Sequence, residues 1–220
     1  MREFPKVWLL LLGFCAAGGV VLALCVTASL RLPEYVDREL NAGERAEVIG
    51  RNSPLIDYIW LSPSADFPRQ EAVTKLTIHH MAGDLSLEQV GEVFSQRDRR
   101  SSANYGIDSQ GQVGLYVEES NRAWTSSSSE NDSQAVTIEV ANDEIGGDWH
   151  VSDQAYETLL ELCTDICRRN HIEELRFTGD ETGNLTLHSM FSSETECPGP
   201  YLKSRMGELA AEVNWRLMES

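Results

Sequence analysis

Residues 185–200 read LTLHSMFSSETECPGP and place His188 and Cys197 nine positions apart on a short polar loop. A thiolate and an imidazole are the two best zinc ligands in proteins, and a loop of this length can bring both to one cation. Residues 198–200, Pro-Gly-Pro, fix the turn that follows the thiol. Two ligands hold zinc weakly, so a third ligand is expected from another part of the chain.

The third ligand is expected from residues 75–83, KLTIHHMAG. Residues 76–78 read as a buried strand, and His79 and His80 stand at its end. Three protein ligands and one open position are the pattern of catalytic zinc, whereas structural zinc takes four protein ligands. From the spacing alone, a zinc site and a set of unrelated side chains remain equally open.

The composition is that of one acidic globular domain behind an apolar N-terminal segment. The 220-residue chain carries 35 acidic and 18 basic residues, a net charge of −17. No basic patch is available to neutralise phosphates, which argues against nucleic acid and against adsorption to anionic lipid. Cys163 and Cys167 lie four positions apart on a predicted helix and are interpreted as core residues, so no disulfide framework is expected.

The N-terminal residues predict a membrane segment. Residues 7–30 are uncharged and apolar, and about 24 residues at 1.5 Å each suffice to span a bilayer. Arg2 and Lys6 precede the run, which predicts a single-pass signal anchor (residues 1–30) with the rest of the chain on the extracellular side. The alternative is a secreted protein, cleaved near Ala28. Residues 31–52 are interpreted as a polar stalk, and oligomeric state is not indicated.

The remaining residues, 53–220, predict one α/β domain. Residues 53–70 contain three prolines and predict an extended arm packed on the domain. Strands at 76–80 and 135–141, a hairpin at 104–117, and helices at 86–94, 152–170 and 201–218 follow from hydrophobic periodicity and capping signals. Strands interleaved with helices predict a mixed central β-sheet flanked by helices.

Several segments, in this order along the chain, resemble the zinc-dependent N-acetylmuramoyl-L-alanine amidases that share their fold with peptidoglycan-recognition proteins and small phage lysozymes. The segments are KLTIHHMAG, SSANYGIDSQGQVGLYV, AVTIEVAND, the helix that begins at Ser152, and TLHSMFSSETECPGPYL. The likeness runs from about Ser53 to the C-terminus. It implies the peptidoglycan-recognition fold and hydrolysis of the bond between N-acetylmuramic acid and L-alanine in the bacterial cell wall.

The resemblance implies a zinc ion (Zn2+) held by His79, His188 and Cys197. Glu139 matches a strand glutamate that many bacterial members place beside the zinc, and it is assigned as general base. A carboxylate inside an apolar strand is costly unless it is paired or functional, which favours the same role. Tyr105 matches a tyrosine that positions the attacking water or the scissile carbonyl.

Three further residues complete the predicted site. Thr195 stands two positions before Cys197, where the family carries a lysine or threonine that stabilises the oxyanion. Trp124 is a candidate substrate contact, with core packing as the alternative. Asn142 is a second candidate substrate contact. His80, by strand alternation, is expected to point away from the metal.

Two alternatives to catalysis remain at this point. A peptidoglycan-binding receptor or scaffold of the same fold would lack activity, although retention of Cys197, Tyr105 and Glu139 disfavours it. A structural zinc site would use His80 as a fourth ligand. The expected partners are the muramyl peptide of peptidoglycan and, through the N-terminal helix, the membrane.

Overall fold

A six-stranded mixed sheet forms the centre of the molecule, as seen in a computed structural model that describes residues 35–219. The strands are β1 (Ile56–Ile59), β3 (Lys75–His80), β4 (Tyr105–Ile107), β5 (Val113–Leu115), β7 (Ala135–Val140) and β8 (Leu185–Leu187). Their order in the sheet is β1-β5-β4-β7-β3-β8. The β4–β5 hairpin is antiparallel, and all other neighbours pair in parallel. This confirms the predicted mixed sheet.

A separate two-stranded antiparallel ladder lies outside this sheet. It pairs β2 (Ala65–Asp66) with β6 (Arg122–Ala123), so that Asp66 faces Arg122 and Ala65 faces Ala123. Two residues per strand are too few to show an alternating hydrophobic pattern. The sequence therefore predicted an extended arm for residues 53–70, where the structure contains the two strands β1 and β2.

Five α-helices of residues 35–219 surround the sheet. They are α1 (Ala42–Arg51), α2 (Leu87–Ser95), α3 (Ser129–Gln134), α4 (Asp153–Arg169) and α5 (Gly199–Met218). Helix α2 begins with the predicted capping box, in which the Ser86 side chain accepts from the Gln89 N–H and Gln89 reciprocates. The Ser152 side chain caps α4 by accepting from the Ala155 N–H. Cys163 and Cys167 are buried free thiols on α4, as predicted.

The register of the central strands decides which side chains share a face. Ile78 lies beside Ile138 on the neighbouring strand, and His79 lies beside Glu139. Because side chains alternate along a strand, the two isoleucines point to one face of the sheet and the His79–Glu139 pair to the other. Ile78 and Ile138 belong to the core that includes α4 and α5. His79 and Glu139 consequently point away from that core.

Helix α1 belongs to the folded unit, which corrects the prediction of a stalk over residues 31–52 for the described residues 35–52. Residues 35–52 form part of one compact unit with the rest of the domain. Val48 is fully buried, and Leu40 is 8% exposed. Arg51 forms an ion pair with Glu118 at 3.0 Å. The prediction failed because α1 buries few apolar residues, and its many charges gave it the pattern of a solvated segment.

Arg69 connects the two-residue strands to the centre of the fold. Its side-chain N–H groups reach five backbone carbonyls, those of Glu119, Asn121, Asp132, Ser133 and Ala135. Burial lowers the pKa of Arg69 to about 10. A guanidinium presents a planar fork of donors that no lysine can match, so this residue holds two loops together through the backbone.

No helix within residues 35–219 is long and apolar enough to cross a membrane. The predicted anchor at residues 7–30 and the alternative cleavage position near Ala28 lie outside the described residues.

Candidate active site

The three predicted zinc ligands come together where two neighbouring strands end. His79 lies near the end of β3, and His188 begins a short 3-10 helix, His188–Met190, directly after β8. Because β3 and β8 pair in parallel, their carboxyl ends meet at the same edge of the sheet. Cys197 lies just before α5. One potential ligand atom from each residue falls within 4.8 Å of the other two.

The spacing of these atoms suits a tetrahedral zinc site. The Nδ1 atom of His79 lies 3.5 Å from the Sγ atom of Cys197. Zinc bonds of about 2.3 Å to sulfur and about 2.1 Å to nitrogen, at a tetrahedral angle, would set those atoms about 3.6 Å apart. The rings of His79 and His188 are 4.8 Å apart between centroids. The three residues therefore fit zinc in donor type, and the spacing of His79 and Cys197 matches that of two zinc ligands.

Burial keeps the ligands uncharged in the chain without a metal. His79 is 1% exposed, and burial lowers its pKa well below the ordinary value. Cys197 is 7% exposed, and burial raises the pKa of its thiol, with Glu139 adding to the effect. The backbone N–H of His80 donates to the Sγ atom of Cys197 at 3.4 Å. A neutral imidazole is ready to bind a metal, whereas the thiol must first lose its proton.

Glu139 faces the same site from strand β7. Its Oε1 atom lies 3.9 Å from the Nδ1 atom of His79, and its Oε2 atom is buried without a hydrogen-bond partner among the described residues. Burial raises the pKa of Glu139 to about 8. A buried carboxylate without a partner is costly, which is typical of a residue retained for chemistry.

A structured loop, residues 125–128, approaches the outer side of His188. The Oγ atom of Ser127 lies 3.4 Å from the Nε2 atom of His188, and Ser127 adopts a positive φ of 66°. The carboxylate of Asp132 holds the loop by accepting from the backbone N–H groups of Thr125 and Ser126. Sequence reasoning missed this arrangement and treated the segment as a polar loop. The only available signal was an Asn-Asp pair after a run of serines.

The structure contradicts the catalytic role predicted for Tyr105. In the β4–β7 ladder Tyr105 pairs with Ile138, whereas Gly106 pairs with Glu139, so the Tyr105 side chain points to the opposite face. Tyr105 is fully buried, and its hydroxyl donates to the Oε1 atom of Glu119 at 2.6 Å. The same carboxylate pairs with Arg169 of α4. Tyr105 is therefore a core residue in a polar network behind the sheet.

Thr195 contacts the ligand loop itself. Its Oγ1 atom accepts from the backbone N–H of Cys197 at 3.1 Å. This hydrogen bond fixes the turn that presents the thiol. The predicted role of Thr195 in stabilising an oxyanion remains a prediction.

Asn142 is fully buried, which contradicts its predicted contact with substrate. Its Nδ2 atom donates to the carbonyl of Trp149 at 2.8 Å and so supports the loop after β7. His80 lies outside the ligand trio, and its ring meets the edge of Trp149 at 5.3 Å between centroids.

Two grooves meet beside the ligands. One, of about 400 Å3, is lined by Glu139, His80 and His188 together with apolar residues of α2. The other, of about 610 Å3, is lined by three arginines, Arg99, Arg100 and Arg122, as well as His188. Trp124 lines both grooves, as do Arg99, Ser101, Thr125 and His188. This position leaves the indole open to a ligand in either groove, and its contact with substrate stays a prediction.

Solved structures with the same fold include N-acetylmuramoyl-L-alanine amidases. A mutant of PlyL shares 15% identity at a TM-score of 0.56, with 71% of this chain and 96% of that chain covered. The amidase LysC from Clostridium intestinale shares 18% identity at a TM-score of 0.53, with 72% and 95% covered. AmpD shares 20% identity at a TM-score of 0.51, with 70% and 93% covered. At these identities the likeness establishes the fold.

The sequence itself gives the family. A search of curated proteins finds no match. Residues 69–200, more than half of the chain, match the sequence family described as N-acetylmuramoyl-L-alanine amidase, and the match contains His79, Glu139, His188 and Cys197. The chain therefore belongs to the N-acetylmuramoyl-L-alanine amidase family and is an amidase of peptidoglycan.

Proposed function

We propose that this chain is a zinc-dependent hydrolase that cuts the amide bond between N-acetylmuramic acid and L-alanine of the peptidoglycan stem. The observation that carries the proposal is the trio of His79, His188 and Cys197 beside Glu139. Glu139 and His188 line a groove that is open to solvent. Three protein ligands leave a fourth position for a reacting group, which is the arrangement of catalytic zinc.

Each residue has a separate task in this reaction. Zn2+ at the site would supply Lewis acidity at the scissile carbonyl and a positive charge that favours the ionised forms of Cys197 and Glu139. Glu139 accepts the proton of the attacking water and transfers it to the leaving amine. Thr195 holds the Cys197 loop through its backbone hydrogen bond, and its hydroxyl is a candidate donor to the developing oxyanion. Tyr105 has no part in the reaction.

The proposed location is the outer side of the cell membrane. The apolar, uncharged run at residues 7–30 supports a signal anchor, and the basic residues before it support an extracellular domain. Cleavage near Ala28 would instead release the domain. Peptidoglycan lies outside the membrane, so either arrangement delivers the enzyme to its substrate. Gel analysis of the mature chain in membrane and culture fractions distinguishes the two.

The test compares the full chain, purified in detergent, with its Glu139→Ala variant. Both are assayed for bound zinc and for release of L-alanine amino termini from purified peptidoglycan. We expect about one zinc per chain in both proteins and release only by the parent. Zinc without release by either protein, across several stem peptides, would favour a peptidoglycan-binding receptor. Absence of zinc from the parent after metal loading would refute the metal site.

A further inference from the structure

Asp66 uses both of its carboxylate oxygens to hold side chains beside the grooves. The Oδ1 atom accepts from the indole N–H of Trp124 at 3.0 Å. The Oδ2 atom accepts from the Nε atom of Arg122 at 2.7 Å. In the sequence, Asp66 lies before the first of the predicted site residues. The residues around it contain no motif that indicates a functional role.

The two-residue ladder explains how these three side chains meet. Asp66 on β2 lies directly opposite Arg122 on β6. Trp124 stands two positions beyond Arg122, so strand alternation places it on the same side, at the diagonal position from Asp66. The backbone of Trp124 is also fixed, because its N–H donates to the Oγ atom of Ser102 and its carbonyl accepts from the Ser102 N–H. Only the side-chain torsions of Trp124 then remain to be set.

The hydrogen bond to Asp66 sets the side-chain torsions of Trp124 and determines which surface of the indole is available to contact a ligand. Its N–H edge is occupied, so the surface that Trp124 presents is the flat aromatic face. The guanidinium of Arg100 lies 5.9 Å from the ring centroid. Because Trp124 is among the residues that line both grooves, a rotation of the indole would change the shape of each.

We propose that Asp66 is a positioning residue for substrate binding, which fixes the Trp124 indole so that an apolar C–H face of the muramyl peptide can pack on it beside the metal site. This inference rests on the proposed function, since it assigns the grooves to the same substrate. Asp66 itself touches neither the reacting atoms nor the ligand trio in this arrangement.

The kinetic test uses Asp66→Ala and Asp66→Asn in the full zinc-loaded chain with soluble muramyl peptides. Asp66→Ala removes the charge-assisted hydrogen bonds to Trp124 and Arg122, and the loss of the bond that holds the indole is expected to raise KM about fivefold to tenfold. The value of kcat should stay within about twofold, because Glu139 and the ligands are untouched. Asp66→Asn retains an acceptor for the indole and should recover part of the loss.

A double-mutant cycle with Trp124→Phe decides whether Asp66 acts through the indole. Phenylalanine keeps an aromatic ring and removes the N–H donor. In that background the bond to the indole is already absent and Asp66→Ala removes only the bond to Arg122, so the rise in KM should be clearly smaller than in the parent background. An equal rise in KM in both backgrounds would overturn the proposal, as would a fall in kcat with KM unchanged.

A measurement without turnover separates this proposal from the proposed function. The indole N–H resonance of Trp124, assigned by its loss in Trp124→Phe, should exchange with solvent at least about tenfold faster in Asp66→Ala. Glu157→Gln, which removes one charge from an exposed pair with Arg216, is the control and should leave this exchange unchanged. Unchanged exchange in Asp66→Ala would refute the positioning role even if the enzyme is fully active. Faster exchange in a chain that cleaves no peptidoglycan would refute the proposed function alone.

Discussion

Glu139 makes the folded chain without a metal sensitive to pH. Its pKa of about 8 in the folded chain lies above the value of about 4.3 expected in an unfolded chain. Between these pH values the folded state binds one more proton than the unfolded state. The contribution of Glu139 to the free energy of unfolding is therefore complete below about pH 4.3 and is lost as the pH rises to about 8.

Replacement of Glu139 by glutamine should remove this dependence. In the presence of a chelator, Glu139→Gln should be more stable than the parent at pH 7.5 by at least about 1 kcal/mol, and equal to it near pH 4. Urea unfolding at the two pH values measures the difference. The exposed variant Glu157→Gln serves as the control. A Glu139→Gln variant that is less stable than the parent at pH 7.5 would contradict the raised pKa.

Tyr105 offers a second prediction at the scale of single residues. Tyr105→Phe should lower the free energy of unfolding by about 1–2 kcal/mol, because a buried hydrogen bond to the Glu119 carboxylate is lost. The values of kcat and KM should stay within about twofold of the parent. Thermal unfolding and peptidoglycan turnover measure the two effects. A drop in kcat of about a hundredfold, with unchanged stability, would restore the catalytic role.

The residue types of the site could be predicted from the sequence, but the face on which each side chain lies could not in every case. His79, His188 and Cys197 were chosen by donor chemistry and by resemblance, and the structure brings them together. Tyr105 was placed with them by its motif alone. The parallel β4–β7 ladder sets it beside Ile138, and this register depends on contacts between distant segments that no local pattern reveals.

At the scale of elements, helix α1 and the strand-connecting loop after β5 form one polar contact. The Arg51 side chain pairs with Glu118, and the Oδ1 atom of Asn52 accepts from the backbone N–H of Glu119. Glu118 and Glu119 are each 7% exposed. Removal of α1 would leave these groups without their partners and would expose the side chains packed around Val48.

A chain that begins at Ser53 should therefore be much less stable than one that begins at Tyr35. We expect a loss of at least about 3 kcal/mol, from lost apolar burial and from unpartnered polar groups. Urea unfolding of the two soluble fragments, with zinc present, measures it. Equal midpoints for both fragments would show that residues 35–52 do not stabilise the domain, which is the behaviour expected of a stalk.

At the scale of the whole molecule, the metal should act as a stabiliser as well as a catalyst. A ligand that binds only the folded state, at about a thousand times its dissociation constant, adds about 4 kcal/mol to the free energy of unfolding. For a domain of this size, each kcal/mol corresponds to about 2–4 °C in Tm. A chelator should thus lower Tm by roughly 8–16 °C.

The matched variants for this measurement are Cys197→Ala and His171→Ala. Cys197→Ala removes one ligand and should show a much smaller change in Tm when the chelator is added. His171 is exposed and lies outside the ligand trio, so His171→Ala should behave as the parent. An identical response of Cys197→Ala and the parent would argue against a site at Cys197.

The overall architecture was predictable because its long elements carry clear patterns. Buried β-branched strands, capping boxes and the periodicity of α4 predicted the mixed sheet and its helices. The missed parts are short or charged, such as the two-residue strands β2 and β6 and the helix α1. Their positions are set by tertiary contacts, among them the five carbonyl bonds of Arg69, and not by local sequence preference.

The positions of the ligands along the chain also impose an order on assembly. His79 and Cys197 are 118 residues apart, and the trio is incomplete until the ribosome has passed Cys197. A nascent chain that ends before Cys197 therefore lacks one of the three ligands and cannot hold a metal in this arrangement. Zinc loading at this trio would therefore follow the synthesis of Cys197, and it would take place in whichever compartment the domain first folds.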